Sequence, residues 1–216
     1  MRTKRGLIVL VSSLLVLAIS IPCLIRLDDR DNASPPGSMK FLGMTDEERK
    51  QIFEDQVKQM QFYPSAAEAN KVLPFELRLP KSELCGELKG IYVRKGTRPT
   101  ELVVYAFYND IPNGITIDIQ PLTNKPDFQA IIKQNQEEYE TGIMKADKVP
   151  VPVTVNNLDG RGGEPGFNIV NGHKYPRPGF VSWWDNGLLY AIRGTRGENG
   201  TSLDALLKIA NSMYSA

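Results

Sequence analysis

The sequence has few of the residues from which metal centres, disulfide frameworks and catalytic triads are built. It contains two cysteines, Cys23 and Cys85, and one histidine, His173. Two such distant cysteines provide neither a disulfide framework nor a thiolate metal site, and we interpret Cys85 as a small buried residue. His173 lies in the segment NGHKYPRPG without a partner at catalytic or metal-ligand spacing. We therefore expect an exposed loop histidine and neither a metal ion nor another cofactor.

A strong excess of one charge is also missing. The chain carries 26 basic and 25 acidic residues, and residues 1–26 hold four of the basic residues and no acid, which leaves 22 basic and 25 acidic residues in the rest. Because nucleic-acid-binding domains present a basic face, we expect no nucleic-acid partner. With 41% hydrophobic and 24% charged residues, the composition excludes collagen-like, wholly disordered and many-span membrane chains.

One long apolar run is present, at residues 6–25 (GLIVLVSSLLVLAISIPCLI). About 20 apolar residues rising about 1.5 Å each span a hydrocarbon core of about 30 Å. The basic segment MRTKR precedes the run and the acidic segment LDDRDN follows it, which predicts a cytoplasmic N-terminus and an external C-terminal part. We predict a cytoplasmic stub (1–5), a transmembrane anchor (6–25), a polar stalk (26–40) and an extracytoplasmic domain (41–216).

Two other interpretations of the apolar run remain open. It could be a cleavable signal peptide, with Ala18 and Ser20 as the small residues before the cut, or a lipoprotein signal that is modified at Cys23. A retained anchor is favoured because the run exceeds the roughly 7–15 apolar residues of a signal peptide. Pro22 also stands where a lipoprotein signal normally has a small residue before the cysteine.

Helix signals occur at four places. Thr45 and Ser65 are each followed three positions later by Glu, the pattern of a residue that caps a helix N-terminus. Pro126 fits the first turn of a helix that carries Phe128, and an amphipathic pattern that begins at Leu203 closes the chain.

Strand signals lie between the second and third helices. Residues 90–95 and 101–108 are rich in β-branched and aromatic side chains, and residues 115–120 alternate as ITIDIQ. We expect one face of this third strand to be buried and the other to meet water, as in an antiparallel sheet covered on one side.

Further strand signals follow the third helix. Valines alternate through residues 149–155, but Pro150 and Pro152 lack amide donors, so this segment is predicted to be an edge strand. Residues 180–184 and 188–192 flank a DNG turn, which is typical of a tight hairpin.

Hairpin-linked strands interrupted by helices predict an α+β fold. We expect an antiparallel sheet of about six strands with helices packed on one face, preceded by the transmembrane helix. The order of strands followed by a helix occurs twice, which suggests a pseudo-repeat.

Two features invite a chemical interpretation. The segment DGRGGEPG (159–166) is similar to a phosphate-binding loop, but residues 167–170 are typical of a strand and not of the helix that such a loop needs. We interpret the segment as an irregular or mobile connection. The acid pairs at 47–48 and 137–138 lie on helices rich in Lys and Gln, which is typical of a solvated face, so we expect no catalysis.

Aromatic and arginine residues gather near the predicted hairpin. Because consecutive strand residues point to opposite faces, Trp183 and Trp184 are not expected to share one core. A ring left at the surface, beside arginines, would form a stacking platform for a glycan, peptide or lipid. The alternative is that helices cover both faces or that the sheet edge hides the second ring. The candidate ligand-binding residues are Trp183, Trp184, Tyr190, Tyr175, Arg177 and Arg193.

Several stretches resemble an extracytoplasmic domain family of unknown function. Residues 66–80 (AAEANKVLPFELRLP) resemble the opening of that family, while WDNG at 184–187, YxIxG at 190–194 and LLKIANS at 206–212 are similar to its end. The resemblance covers residues 60–214. Such domains follow a single membrane span in anti-sigma-factor-like and sporulation-associated envelope proteins of Gram-positive spore formers. The resemblance therefore implies a cell-envelope location and architecture, and no assigned reaction.

The chain also departs from the family pattern. Residues 81–87 (KSELCGE) replace the usual Leu-Pro-x-Gly-aromatic element, so any surface built there is expected to differ. Five residues before the predicted span are too few to fold, so direct anti-sigma activity is not implied.

From these features we expect a single-pass cell-membrane protein whose extracytoplasmic domain is not an enzyme and binds a protein or cell-envelope ligand. The alternative is a lipid or lipoprotein carrier or sensor with an apolar cavity under the sheet. An enzyme, which would need an acid pair within a shared cleft, is the third hypothesis.

Overall fold

The computed structural model describes residues 46–96, 101–111, 113–141, 144–170 and 172–215. The predicted stub, anchor and stalk, together with Thr45, lie outside these ranges. No helix within the described ranges is long and apolar enough to cross a bilayer.

The described residues form five helices and ten strands, and every strand pair is antiparallel, which confirms the α+β prediction. The helices are α1 (Asp46–Val57), α2 (Ala66–Asn70), α3 (Ser82–Cys85), α4 (Phe128–Thr141) and α5 (Leu203–Ser212). The strands are β1 (Gln61–Tyr63), β2 (Leu88–Arg94), β3 (Val103–Tyr108), β4 (Ile115–Pro121), β5 (Met144–Ala146), β6 (Val151–Val155), β7 (Leu158–Gly163), β8 (Gly166–Val170), β9 (His173–Asp185) and β10 (Leu188–Arg196).

The sheet has the strand order β1-β2-β3-β4-β10-β9-β7-β6, and β8 and β5 extend from the first half of β9. The predicted number of about six strands is therefore wrong. Two of the additional strands, β1 and β5, have only three residues each, too few for a period-2 pattern to stand out in the sequence. The 13-residue strand β9 pairs along one edge with β8 and then with β7.

One side of the sheet, which we call the α5 face, contains the larger core. Ile117, Trp183 and Ile192 from three neighbouring strands pack there with Leu206 of α5. The core also includes Cys85, which is buried as predicted.

The opposite side, which we call the α4 face, is also covered by helices. Phe53 of α1 makes edge-to-face contact with Phe107, with ring centroids 4.8 Å apart. Phe128 and Ile132 of α4 are buried outside the core of the α5 face. The prediction that helices pack on one face is therefore wrong, and α4 and α5 do not form a simple repeat because they pack on opposite faces.

Helices on both faces change the environment of β4. Its residues from Ile115 to Ile119 are all buried, including the polar side chains of Thr116 and Asp118. The prediction that one side of this strand meets water is therefore wrong. The alternating sequence pattern showed which side chains are polar but not which are exposed.

The glycine-rich segment forms strand β7 and not the predicted irregular connection. Gly160 pairs with Trp183 and Gly162 pairs with Val181. A Cβ on Gly160 would stand 2.5 Å from the carbonyl oxygen of Ser182, and one on Gly162 would stand 2.5 Å from Leu203 Cδ1. Glycine is therefore required here by close packing inside the sheet.

Several local predictions are confirmed. Asn186 and Gly187 adopt the positive φ angles of a tight hairpin turn, and β6, with Pro152, is an edge strand that pairs with β7. Ser65 caps α2 by accepting a hydrogen bond from the Glu68 amide at 3.3 Å. At α4, Asp127 accepts a hydrogen bond from the Ala130 amide, so Pro126 precedes the cap and does not lie in the first turn as predicted.

Candidate functional site

The structure places two of the predicted ligand-binding residues in the core of the α5 face. Trp183 has 0% exposure and stacks on Tyr190, with ring centroids 5.1 Å apart. The indole nitrogen of Trp183 donates a hydrogen bond to the hydroxyl of Tyr214 at 2.8 Å. Trp183 and Tyr190 are therefore packing residues, and their predicted place in a surface platform is wrong.

Trp184 lies on the opposite face, as the alternation of strand residues predicted. It is half-buried, and its indole nitrogen donates to the carbonyl oxygen of Leu122 at 2.8 Å. Tyr175 is also half-buried, and it pairs with Asn168 near the start of β9. The six predicted residues therefore do not form a single platform.

Arg193 pairs with Asp118, the β4 residue whose side chain the sequence pattern predicted to face water. Its guanidinium forms a buried salt bridge with Asp118 on the α4 face. Burial raises the pKa of Asp118 to about 6, although the charge of Arg193 opposes this shift. Arg193 thus has a partner inside the sheet and is not a free surface arginine.

Arg177, one of the six predicted ligand-binding residues, lies in a group of side chains that the sequence analysis did not identify. Its side chain is buried, and Nη2 donates a hydrogen bond to the carbonyl oxygen of Lys148 at 2.8 Å. The nearest oxygen of Asp147 is 3.8 Å from the same nitrogen. Arg177 is therefore anchored to the segment between β5 and β6.

Arg161 was missed by sequence reasoning and lies close to Arg177. Arg161 is only 8% exposed, and its Cζ atom lies 5.5 Å from the centroid of the Phe180 ring. Burial lowers the pKa of Arg161 to about 10, because an apolar environment penalises its charge. The sequence feature that could have identified Arg161 is its position as the one long side chain within DGRGG, part of the segment predicted to be irregular.

Tyr139 completes this group from α4. Burial raises the pKa of its hydroxyl, and the charges of Arg177 and Arg161 act in the opposite direction. Tyr139 lies on α4, which packs against β7, the strand that carries Arg161. We call Arg161, Arg177, Tyr139 and Phe180 the arginine–tyrosine cluster.

The α4 face contains buried polar atoms whose hydrogen bonds are incomplete. Among the described residues, Asp118 Oδ1, Arg193 Nε and Arg177 Nε have no hydrogen-bond partner. Buried polar atoms are normally satisfied because each unpaired one costs about 1–3 kcal/mol. On this face, hydrogen bonding within the described part of the chain is therefore incomplete at these three atoms.

The other candidate chemical features remain apart from this cluster. His173 and the side chains of residues 47 and 137–138 are exposed. Within the described ranges, no group of three or more His, Cys, Asp or Glu residues could hold a metal ion. Burial raises the pKa of the Cys85 thiol to about 12, so this thiol stays protonated at neutral pH.

Comparisons with protein-family models, with curated proteins and with solved structures find no match to this chain. The resemblance of residues 60–214 to an extracytoplasmic domain family therefore stays a prediction.

Proposed function

We propose that this chain is a single-pass membrane protein whose extracytoplasmic domain captures a protein or cell-envelope ligand without catalysing a reaction. The feature that carries the proposal is the α4 face, where charged side chains are buried beneath a helix and keep unused hydrogen-bonding capacity. Such groups are costly to bury unless they meet a partner, and arginine and tyrosine are suited to recognition more than to proton transfer.

The proposed placement is supported by the sequence. Residues 6–25 are uncharged and long enough to span a bilayer, with basic residues before them and acidic residues after them. The resemblance of residues 60–214 to envelope domains of Gram-positive spore formers agrees with a position outside the membrane.

The placement is tested by membrane fractionation and by protease added to intact cells. The protein should remain in the membrane after alkaline carbonate washing, and an epitope at its C-terminus should be digested from outside. A variant in which Leu10, Leu14 and Leu17 are replaced by Asp should leave the membrane fraction. Recovery of the unaltered protein from the cytosol would contradict the proposal.

The binding role is tested by photo-crosslinking in native membranes. A crosslinking residue at exposed Lys148, beside the arginine–tyrosine cluster, should capture a discrete partner. The same residue at Asp204, exposed on α5, is the control and should not. Equal labelling from both positions would argue against a ligand surface on the α4 face.

A further inference from the structure

Two guanidinium groups approach the same aromatic ring on the α4 face. Arg161 lies over Phe180, with Cζ 5.5 Å from the ring centroid. Gly163 is the cross-strand partner of Phe180, and a Cβ placed on it would stand 2.7 Å from Phe180 Cε1 and 3.4 Å from Arg177 Nη1. The absence of a side chain at Gly163 therefore lets the ring and the second guanidinium come together.

Basic groups from Arg161, Arg177 and Lys148 lie in the region of this ring. Asp147 is 3.8 Å from Arg177 Nη2, and the same Asp147 oxygen also accepts a hydrogen bond from the Phe167 amide at 2.9 Å. Lys148 adds an exposed ammonium group close by, which donates to the carbonyl oxygen of Pro165 at 3.1 Å. Two arginines and a lysine therefore lie in this region, and Asp147 is the carboxylate that faces Arg177.

The cluster also contains a buried donor whose hydrogen bond is unmade within the described part of the chain. Arg177 is 9% exposed and uses Nη2 to bind the Lys148 carbonyl, while its buried Nε has no hydrogen-bond partner in the described part of the chain. Tyr139 contributes a hydroxyl group from α4, the helix that packs against β7 and therefore against the strand of Arg161. The charges of Arg161 and Arg177 act on the pKa of this hydroxyl. Planar guanidinium groups bind phosphate and carboxylate through paired N–H donors, which is the geometry that such a site needs.

We propose that the arginine–tyrosine cluster binds an oxyanion, a phosphate or carboxylate group, carried by the ligand of this domain. Arg177 and Arg161 neutralise the anion, Tyr139 donates a hydrogen bond to it, and Phe180 forms the apolar wall that holds the guanidinium groups in place. The proposal deepens the proposed function, and it rests on that function only for the place where the domain encounters its ligand.

The direct test is titration of the full-length chain in neutral detergent with inorganic phosphate at constant ionic strength. Phosphate should raise the melting temperature in a saturable way, because a ligand that binds only the folded state stabilises it. The NMR signal of the Arg177 Nε–H group should shift along the same titration curve. Chloride at equal ionic strength should do neither.

Substitutions identify the residues responsible. Arg177→Gln should weaken phosphate binding at least tenfold, and Arg177→Lys should recover only part of it because lysine lacks the paired donors. Arg78→Gln is the matched control, since Arg78 pairs with Asp185 away from the cluster, and its affinity should equal that of the unaltered chain. If Arg177→Gln does not fold, Tyr139→Phe, which keeps the ring, should still weaken binding severalfold.

Further measurements separate the sources of the anion. Binding to phosphatidylglycerol vesicles, but not to phosphatidylcholine vesicles, in competition with phosphate would identify a lipid headgroup. Saturable phosphate binding without vesicle binding would identify a soluble or wall-borne phosphate, and tighter binding of acetate would identify a carboxylate. No saturable effect of either anion, or equal affinity in Arg177→Gln, would overturn the proposal. Because these measurements use purified protein, they can fail while the membrane topology is confirmed.

Discussion

Arg78 and Asp185 form a salt bridge of 2.7 Å between residues that are 107 positions apart in the chain. The Arg78 guanidinium also lies 4.4 Å from the centroid of the Tyr214 ring. The Tyr214 hydroxyl donates to the same Asp185 oxygen at 3.0 Å and accepts from the buried indole of Trp183. Arg78 and Asp185 lie in two of the stretches on which the predicted family resemblance depends, and packing contacts account for these two residues.

The Tyr214 hydroxyl is expected to stabilise the domain. In Tyr214→Phe the buried indole N–H of Trp183 loses its acceptor, which should lower the free energy of unfolding by about 1–3 kcal/mol. Urea denaturation measures this change. Tyr175→Phe, which removes a hydroxyl from a half-buried tyrosine outside the network, should change it by less than about 0.5 kcal/mol. Equal stability of the two variants would show that the network contributes little.

The buried Asp118 is expected to make stability depend on pH. Its pKa is raised from 3.8 to about 6 in the folded state, so the folded chain takes up this proton before the unfolded chain does. The contribution of protonated Asp118 to the free energy of unfolding is therefore complete below pH 3.8 and is lost as the pH rises through about 6.

Two substitutions test the raised pKa of Asp118. In Asp118→Asn this contribution to the pH dependence should disappear, although the variant loses the counter-charge of Arg193 at neutral pH. Asp110→Asn, at an exposed position, should retain the pH slope of the unaltered chain. Identical slopes in all three proteins, measured by urea denaturation from about pH 7 to about pH 4, would contradict the raised pKa.

The glycines of β7 are expected to tolerate no side chain toward the α5 face. In Gly162→Ala the new Cβ would stand 2.5 Å from Leu203 Cδ1 and 3.1 Å from Val153 Cγ1. Relief of this overlap requires the buried Leu203 side chain to leave its rotamer and the contacts with Val153 and the Phe180 carbonyl oxygen, at 3.2 Å, to give way. This should cost about 1–3 kcal/mol in thermal or urea unfolding.

Gly172 provides the control for this substitution. It has φ +81°, and a Cβ added to it would have no atom within 4 Å. Gly172→Asn should therefore have little effect, since asparagine accepts this conformation. A fully stable Gly162→Ala variant would show that the close contact is relieved without cost.

Local sequence signals predicted much of this fold because they act over a few residues. The Asn186-Gly187 turn, the Ser65 cap and the opposite orientations of Trp183 and Trp184 follow from backbone geometry alone. Such features do not depend on which element lies across the sheet.

Burial was harder to predict because it depends on distant elements. Asp118 has the polar side chain typical of a wet strand face, but α4 and α1 place helices on that side. Arg161 is surrounded by glycines, whose lack of side chains hid the strand period from the sequence pattern. The arginine–tyrosine cluster combines residues from α4, β7 and β9, which no local pattern connects.

The position of β10 has a consequence for the order in which the sheet can assemble. β10 lies between β4 and β9, although it is the last strand along the described part of the chain. During synthesis from the N-terminus, β4 therefore has an unpaired hydrogen-bonding edge until Leu188–Arg196 has emerged. Contacts of this kind close long loops and slow folding, and an unpaired apolar edge can join other chains. Truncation before residue 188 would thus leave β4 with an unpaired edge that is prone to aggregation. The N-terminal strands and the C-terminal hairpin are therefore better regarded as one cooperative unit than as two separable halves.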